Sequence, residues 1–146
     1  MLNVFIGYDP HEAVAYHVLA HSILRRASIP VAVAPVMRSQ LGTLFTRVRG
    51  AKESTEFAIS RFIVPALSGF TGWSLFMDCD MLCLADLAPL LEETKRQSQK
   101  AVLVCKHDYT PNPARKFLNQ EQTAYPRKNW SSLMLFNNAL CTALTP

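Results

Sequence analysis

The sequence predicts an α/β fold with a mainly parallel sheet flanked by helices, on three observations. Short apolar runs recur at residues 2–6, 31–37, 73–77, 101–105 and 133–136. Helical spacing fills residues 10–27, 56–67 and 84–98 between them. Gly, Pro and Asp cluster at the joins, where the period of the apolar pattern changes. Strands that alternate with helices pair in parallel, because each crossover returns the chain to the same edge of the sheet.

The first run reads as a buried strand and ends at Gly7-Tyr8-Asp9-Pro10. Asp9 suits a helix N-cap, Pro10 the first helical position, and Glu12 the reciprocal place in a capping box. The helix then runs to about Ala27, with Val14, Val18, Ala20, Leu24 and Ala27 as its expected apolar side. Pro35 weakens the second strand and points to an edge position or an early stop. Residues 38–54 lack a period and read as loop. In the next helix Phe57, Ile59, Phe62, Ile63 and Leu67 are spaced along one side, and Pro65 kinks or ends it. Residues 73–77 give the strongest central strand, running straight into Asp78-Cys79-Asp80. The helix at 84–98 has Asp86 near its start and Lys95 and Arg96 near its end, which complements the helix dipole. A strand at 101–105, a polar loop at 110–128 with a short helix near Phe117, and a strand at 133–136 complete the chain. It reads as one domain over 1–146, expected to be truncated at its C-terminus because it stops soon after a strand.

Composition narrows the function classes. With 49% hydrophobic and 18% charged residues, the chain is globular rather than disordered. The net charge of +4 comes from small groups of Lys and Arg, so a solvated surface, attraction to anionic nucleotides and contact with an acidic membrane all fit it. No long basic run points to nucleic acid. The four cysteines show neither CxxC nor zinc spacing. Cys79 and Cys105 lie in apolar runs, and all four read as free thiols of a reducing cytosol. No segment reaches the ~20 apolar residues that a membrane-spanning helix needs, and no N-terminal signal is visible. The expected location is the cytoplasm, with peripheral contact at the inner membrane as one possibility.

Asp78 and Asp80 are the principal chemical candidates. Two carboxylates at the mouth of a buried strand are costly unless neutralised. The carboxyl end of a strand is also where open α/β sheets bind ligands. A divalent cation with hard-oxygen preference would neutralise them and share them with phosphates. Alternate residues of an extended segment point the same way, whereas a turn splays them. Two solvated loop acids are the plainer alternative.

Gly7 permits close backbone approach. Tyr8 can stack on a base, and Asp9 can accept from a base or ribose or serve only as a cap. Arg61 either lays its stem on the apolar helix face or reaches a diphosphate with its planar fork. Glu56 and Ser60 share that helix face and are placed to orient it. Lys106-His107-Asp108 follows a later strand and reads either as a turn with solvated charges or as part of the site. Asn129-Trp130-Ser131-Ser132 precedes the last strand and offers polar groups to a sugar, with Trp130 either on a sugar face or packed in the core. His17 and His21 have metal-compatible spacing but no third ligand, so helix packing is expected of them.

As an ordered set these segments resemble the bacterial family 8-type glycosyltransferases of the GT-A fold. Phe5-Ile6-Gly7-Tyr8-Asp9, Ser60-Arg61-Phe62, Leu75-Phe76-Met77-Asp78-Cys79-Asp80 and Trp130 to Asn137 follow that family's order and spacing. The resemblance implies a nucleotide-sugar donor, often a uridine diphosphate sugar, Mn²⁺ or Mg²⁺ as cofactor, and a glycan or lipid-linked acceptor. It assigns Gly7, Tyr8 and Asp9 to the base and ribose, Arg61 to the diphosphate, and Asp78 and Asp80 to metal and ribose. His107, Ser131 and Ser132 fall on the sugar or acceptor side. Family 8 transfer usually retains anomeric configuration. Similar members usually carry a further metal-binding His beyond the stretch present here, and a Gly where Ser132 stands.

Two other classes compete. Haloacid-dehalogenase-type phosphatases also place DxD after a buried strand; Asp78 would then be the nucleophile and Asp80 the acid-base. That motif normally follows the first strand, and Leu82 occupies a position usually held by Thr or Val. A domain that binds nucleotide without turnover, or acts only as an interaction module, is the third reading.

Overall fold

The computed structural model describes residues 1–51, 53–107 and 130–146. The expected loop at 110–128 and Asp108 lie outside the described residues. Five strands form one sheet: β1 (Leu2–Gly7), β2 (Val31–Val36), β3 (Trp73–Met77), β4 (Val102–Val104) and β5 (Leu133–Asn137). Their order is β2-β1-β3-β5-β4. β1 pairs in parallel with β2 and β3, whereas β5 runs antiparallel between β3 and β4. The expected mainly parallel α/β architecture is therefore present, with one reversed strand.

That reversal decides where the candidate residues meet. β1, β3 and β4 end at the same edge, and β5 begins there, with Leu133 opposite Met77. Residues after β1, β3 and β4 and residues before β5 consequently share one edge. β3 is central and apolar, with Leu75 and Phe76 fully buried. β2 lies at the sheet edge, where Pro35 costs no ladder hydrogen bond on its outer side.

The helices are shorter than expected. A 3-10 turn, Pro10–Glu12, leads into α1 (Ala13–Arg26). The second helical stretch is a 3-10 turn, Ser60–Ile63, followed by α2 (Val64–Leu67). Pro65 stands in the first turn of α2 rather than ending the helix, because that position needs no N–H partner. α3 spans Ala88–Arg96 and starts after Asp86, whose Oδ1 accepts from Ala88 N at 3.0 Å.

The expected apolar side of α1 is corrected by the structure. Val14, Val18 and Leu24 are exposed, while Leu19, Ser22 and Ile23 are buried. Ser22 belongs inside because its hydroxyl donates to Leu19 O at 2.8 Å and accepts from Cys83 N at 3.0 Å. His17 and His21 are exposed rather than packed, and Cys105 is also exposed. No helix among the described residues is long and apolar enough to cross a membrane.

Candidate functional site

The end of β1 is built around Asp9, only 2% exposed. Its Oδ1 accepts from His11 N at 3.0 Å and lies 2.8 Å from His11 Nδ1. Its Oδ2 accepts from Glu56 N at 3.0 Å, across 47 residues of sequence. Burial pushes this carboxyl up, but the hydrogen bonds from His11 and Glu56 outweigh it and leave Asp9 below its ordinary value. Oδ1 thus caps the 3-10 turn that follows, and Oδ2 joins the strand end to the loop at Glu56. A Cβ on Gly7 would stand 2.4 Å from the Phe57 ring, so the glycine makes room for this ring beside the strand. Tyr8 is half-buried and meets Tyr16 edge-on, with ring centroids 5.5 Å apart.

The end of β3 differs. The chain turns at Cys79 and Asp80, and Asp78 N donates to Ser132 O at 2.9 Å. Arg61 is 7% exposed and lies against both the Phe57 and Phe76 rings, its guanidinium carbon 5.4 and 5.1 Å from their centroids. Its Nε donates to Phe57 O at 3.3 Å. Its Nη1 donates to Ser131 O at 2.7 Å and to Ser131 Oγ at 3.2 Å. The same nitrogen lies 2.9 Å from Asp78 Oδ1.

That oxygen is buried yet accepts no aligned hydrogen bond among the described residues. Arg61 and Asp78 form a buried ion pair, and Arg61 Nη1 is shared between Asp78 and Ser131. Burial pushes the Asp78 carboxyl up to about 6, with the Arg61 charge opposing that shift. Burial likewise disfavours the Arg61 cation, and Asp78 and Asp80 support it. Asp80 is exposed.

The structure thus gathers Gly7, Tyr8, Asp9, Arg61, Asp78, Asp80, Ser131 and Ser132 around neighbouring strand ends. His107 is exposed in the segment after β4. One residue escaped the sequence reading. Glu12 was expected only in a capping box, but it makes no side-chain cap to α1, and its Oε2 accepts from Cys79 Sγ at 3.3 Å. Nothing in its local pattern signals this long-range contact.

For a divalent cation the donor chemistry fits. Asp78 and Asp80 offer hard oxygens, and among the described residues the buried Asp78 Oδ1 has Arg61 as its partner. No cluster of three or more His, Cys, Asp or Glu side chains suited to a metal occurs among the described residues. Two carboxylates without a full protein cage suit Mg²⁺-type ions that arrive with substrate phosphates.

The fold just described is glycosyltransferase-like. It matches the apo structure of the bifunctional glycosyltransferase WbbM with a TM-score of 0.63, covering 97% of this chain and 32% of that chain at 15% identity. At that identity the likeness concerns the fold alone. In sequence the chain is 48% identical over 137 residues to Protein CDI of Arabidopsis thaliana, covering 92% of this chain and 52% of the relative. The chain spans about half the length of that curated relative. Because the relative is a plant protein, it lends no support to the expectation of a bacterial member. No family model matches the sequence.

Proposed function

We propose that this chain is the nucleotide-sugar-binding part of a metal-dependent glycosyltransferase. It takes a nucleotide-diphosphate sugar, a uridine diphosphate sugar above all, and serves transfer to a glycan or lipid-linked acceptor. One observation carries the reading: Asp78 and Asp80 stand on the turn after the central strand, with Asp78 Oδ1 buried and paired, among the described residues, with the Arg61 guanidinium. The glycosyltransferase-like fold supports it over the phosphatase reading.

In this reading Asp78 and Asp80 hold Mn²⁺ or Mg²⁺. When bound, such an ion supplies the Lewis-acid charge that neutralises a departing diphosphate. Arg61 serves the donor through Asp78: it sets that carboxylate from behind and compensates its charge while the site is empty of ligand. Tyr8 and Asp9 border the base and ribose, and Asp9 also holds the Glu56 backbone in place. His107, Ser131 and Ser132 lie toward the sugar and acceptor.

The test compares metal-dependent binding of uridine diphosphate by wild type, Asp78→Asn and Asp80→Asn. Each variant should bind at least about tenfold more weakly, which is ~1.4 kcal/mol. Unchanged affinity in both folded variants would remove the site assignment.

A further inference from the structure

Glu12 is drawn to the candidate site by the fold. It stands where the 3-10 turn Pro10–Glu12 passes into α1. From there its carboxylate reaches Cys79, the residue between the two aspartates, across 67 positions of sequence. Cys79 is 1% exposed, and Glu12 is half-buried.

α1, which follows directly, makes a second contact: Ser22 Oγ accepts from Cys83 N at 3.0 Å. The 3-10 turn and α1 thus hold the segment on both sides of Asp80. Glu12 and Asp80 also both act on Asp78 through their charge.

We propose that Glu12 is a positioning residue of the donor site: its carboxylate holds the Cys79 thiol and so fixes the turn that sets the angle between Asp78 and Asp80. The proposal rests on reading those aspartates as the donor site. Its physical basis is preorganisation. In an extended segment two side chains at alternate positions point together, but at a turn one peptide rotation redirects the second. Anchoring the middle side chain removes that freedom before a cation and diphosphate arrive. Outer partners of this kind orient ligands without touching the metal. A hydroxyl donates as a thiol does, so Ser at position 79 preserves the contact.

The experiment measures Mn²⁺-dependent binding of uridine diphosphate by calorimetry for wild type, Glu12→Ala, Cys79→Ala, the double variant and Cys79→Ser. Circular dichroism establishes that each is folded. Each alanine variant should weaken binding about tenfold, at the low end for loss of an outer partner. The double variant should bind no more weakly than the weaker single, and Cys79→Ser should stay near wild type. The S–H stretching band that Cys79→Ala removes from the Raman spectrum should move to higher wavenumber in Glu12→Ala. Wild-type affinity in Glu12→Ala, additive losses in the double variant, or an unmoved S–H band would overturn the proposal. A wild-type protein that binds no uridine diphosphate in Mn²⁺ would instead reject the donor-site reading, and the positioning role with it.

Discussion

Asp9 and Asp78 follow parallel neighbouring strands at one edge of the sheet, and both carboxylates are largely out of water, but they are held differently. Asp9 is surrounded by donors: two backbone N–H groups and the His11 ring. Among the described residues Asp78 faces one buried guanidinium, whose Nη1 it shares with Ser131. Their titrations move in opposite directions, Asp9 down and Asp78 up to about 6. A carboxylate satisfied by N–H donors is finished as a structural joint. A carboxylate balanced only by a charge retains acceptor capacity, which is what a ligand site requires.

The contrast breaks most severely at Arg61. Arg61→Met preserves the bulk between Phe57 and Phe76 but leaves Asp78 buried without its counter-charge, so the loss should be about 3–5 kcal/mol in urea unfolding. A loss below ~1 kcal/mol would mean that water already compensates Asp78.

At the Asp9 end the joint depends on packing. Gly7→Ala should cost about 1–3 kcal/mol, because the new methyl meets the Phe57 ring. Adding Phe57→Leu should recover part of that loss. Equal stability of Gly7→Ala and wild type would show that the ring moves aside freely.

The smallest effect sharpens the comparison through pH. Asp9 lies below its ordinary value of 3.8, so its contribution is fully present above 3.8 and lost as pH falls through the lower folded value. Asp9→Asn should flatten that acid-side fall in the unfolding midpoint. Asp78 acts with the opposite sign: in the metal-free protein its burial erodes stability as pH rises from 3.8 to about 6. An acid limb identical in wild type and Asp9→Asn would contradict the assignment at Asp9.

Much of this edge is legible in the sequence, for identifiable reasons. The run into Asp78-Cys79-Asp80 is apolar at successive positions, as a strand covered on both faces must be, so its centrality could be read directly. Pro35 marked β2 as an edge through a missing donor. α1 was not legible in the same way. It carries apolar residues on several sides, and only the sheet selects Leu19 and Ile23 over Val14 and Val18. Arg61 was recognised as a site residue, but whether its fork meets a phosphate or a protein carboxylate depends on β5 bringing Ser131 alongside. Glu12 was hidden because a local capping rule already explained it, while its partner lies far away in sequence.

The most direct measurement is a calorimetric titration of uridine diphosphate into the protein with Mn²⁺ present, repeated after chelation. Binding that appears with Mn²⁺ and disappears with the chelator is the expected result, and it would establish Asp78 and Asp80 as candidates for the cation site to be resolved by their variants. Equal binding in both conditions, or none with Mn²⁺ in a folded protein, would contradict the metal-dependent donor site.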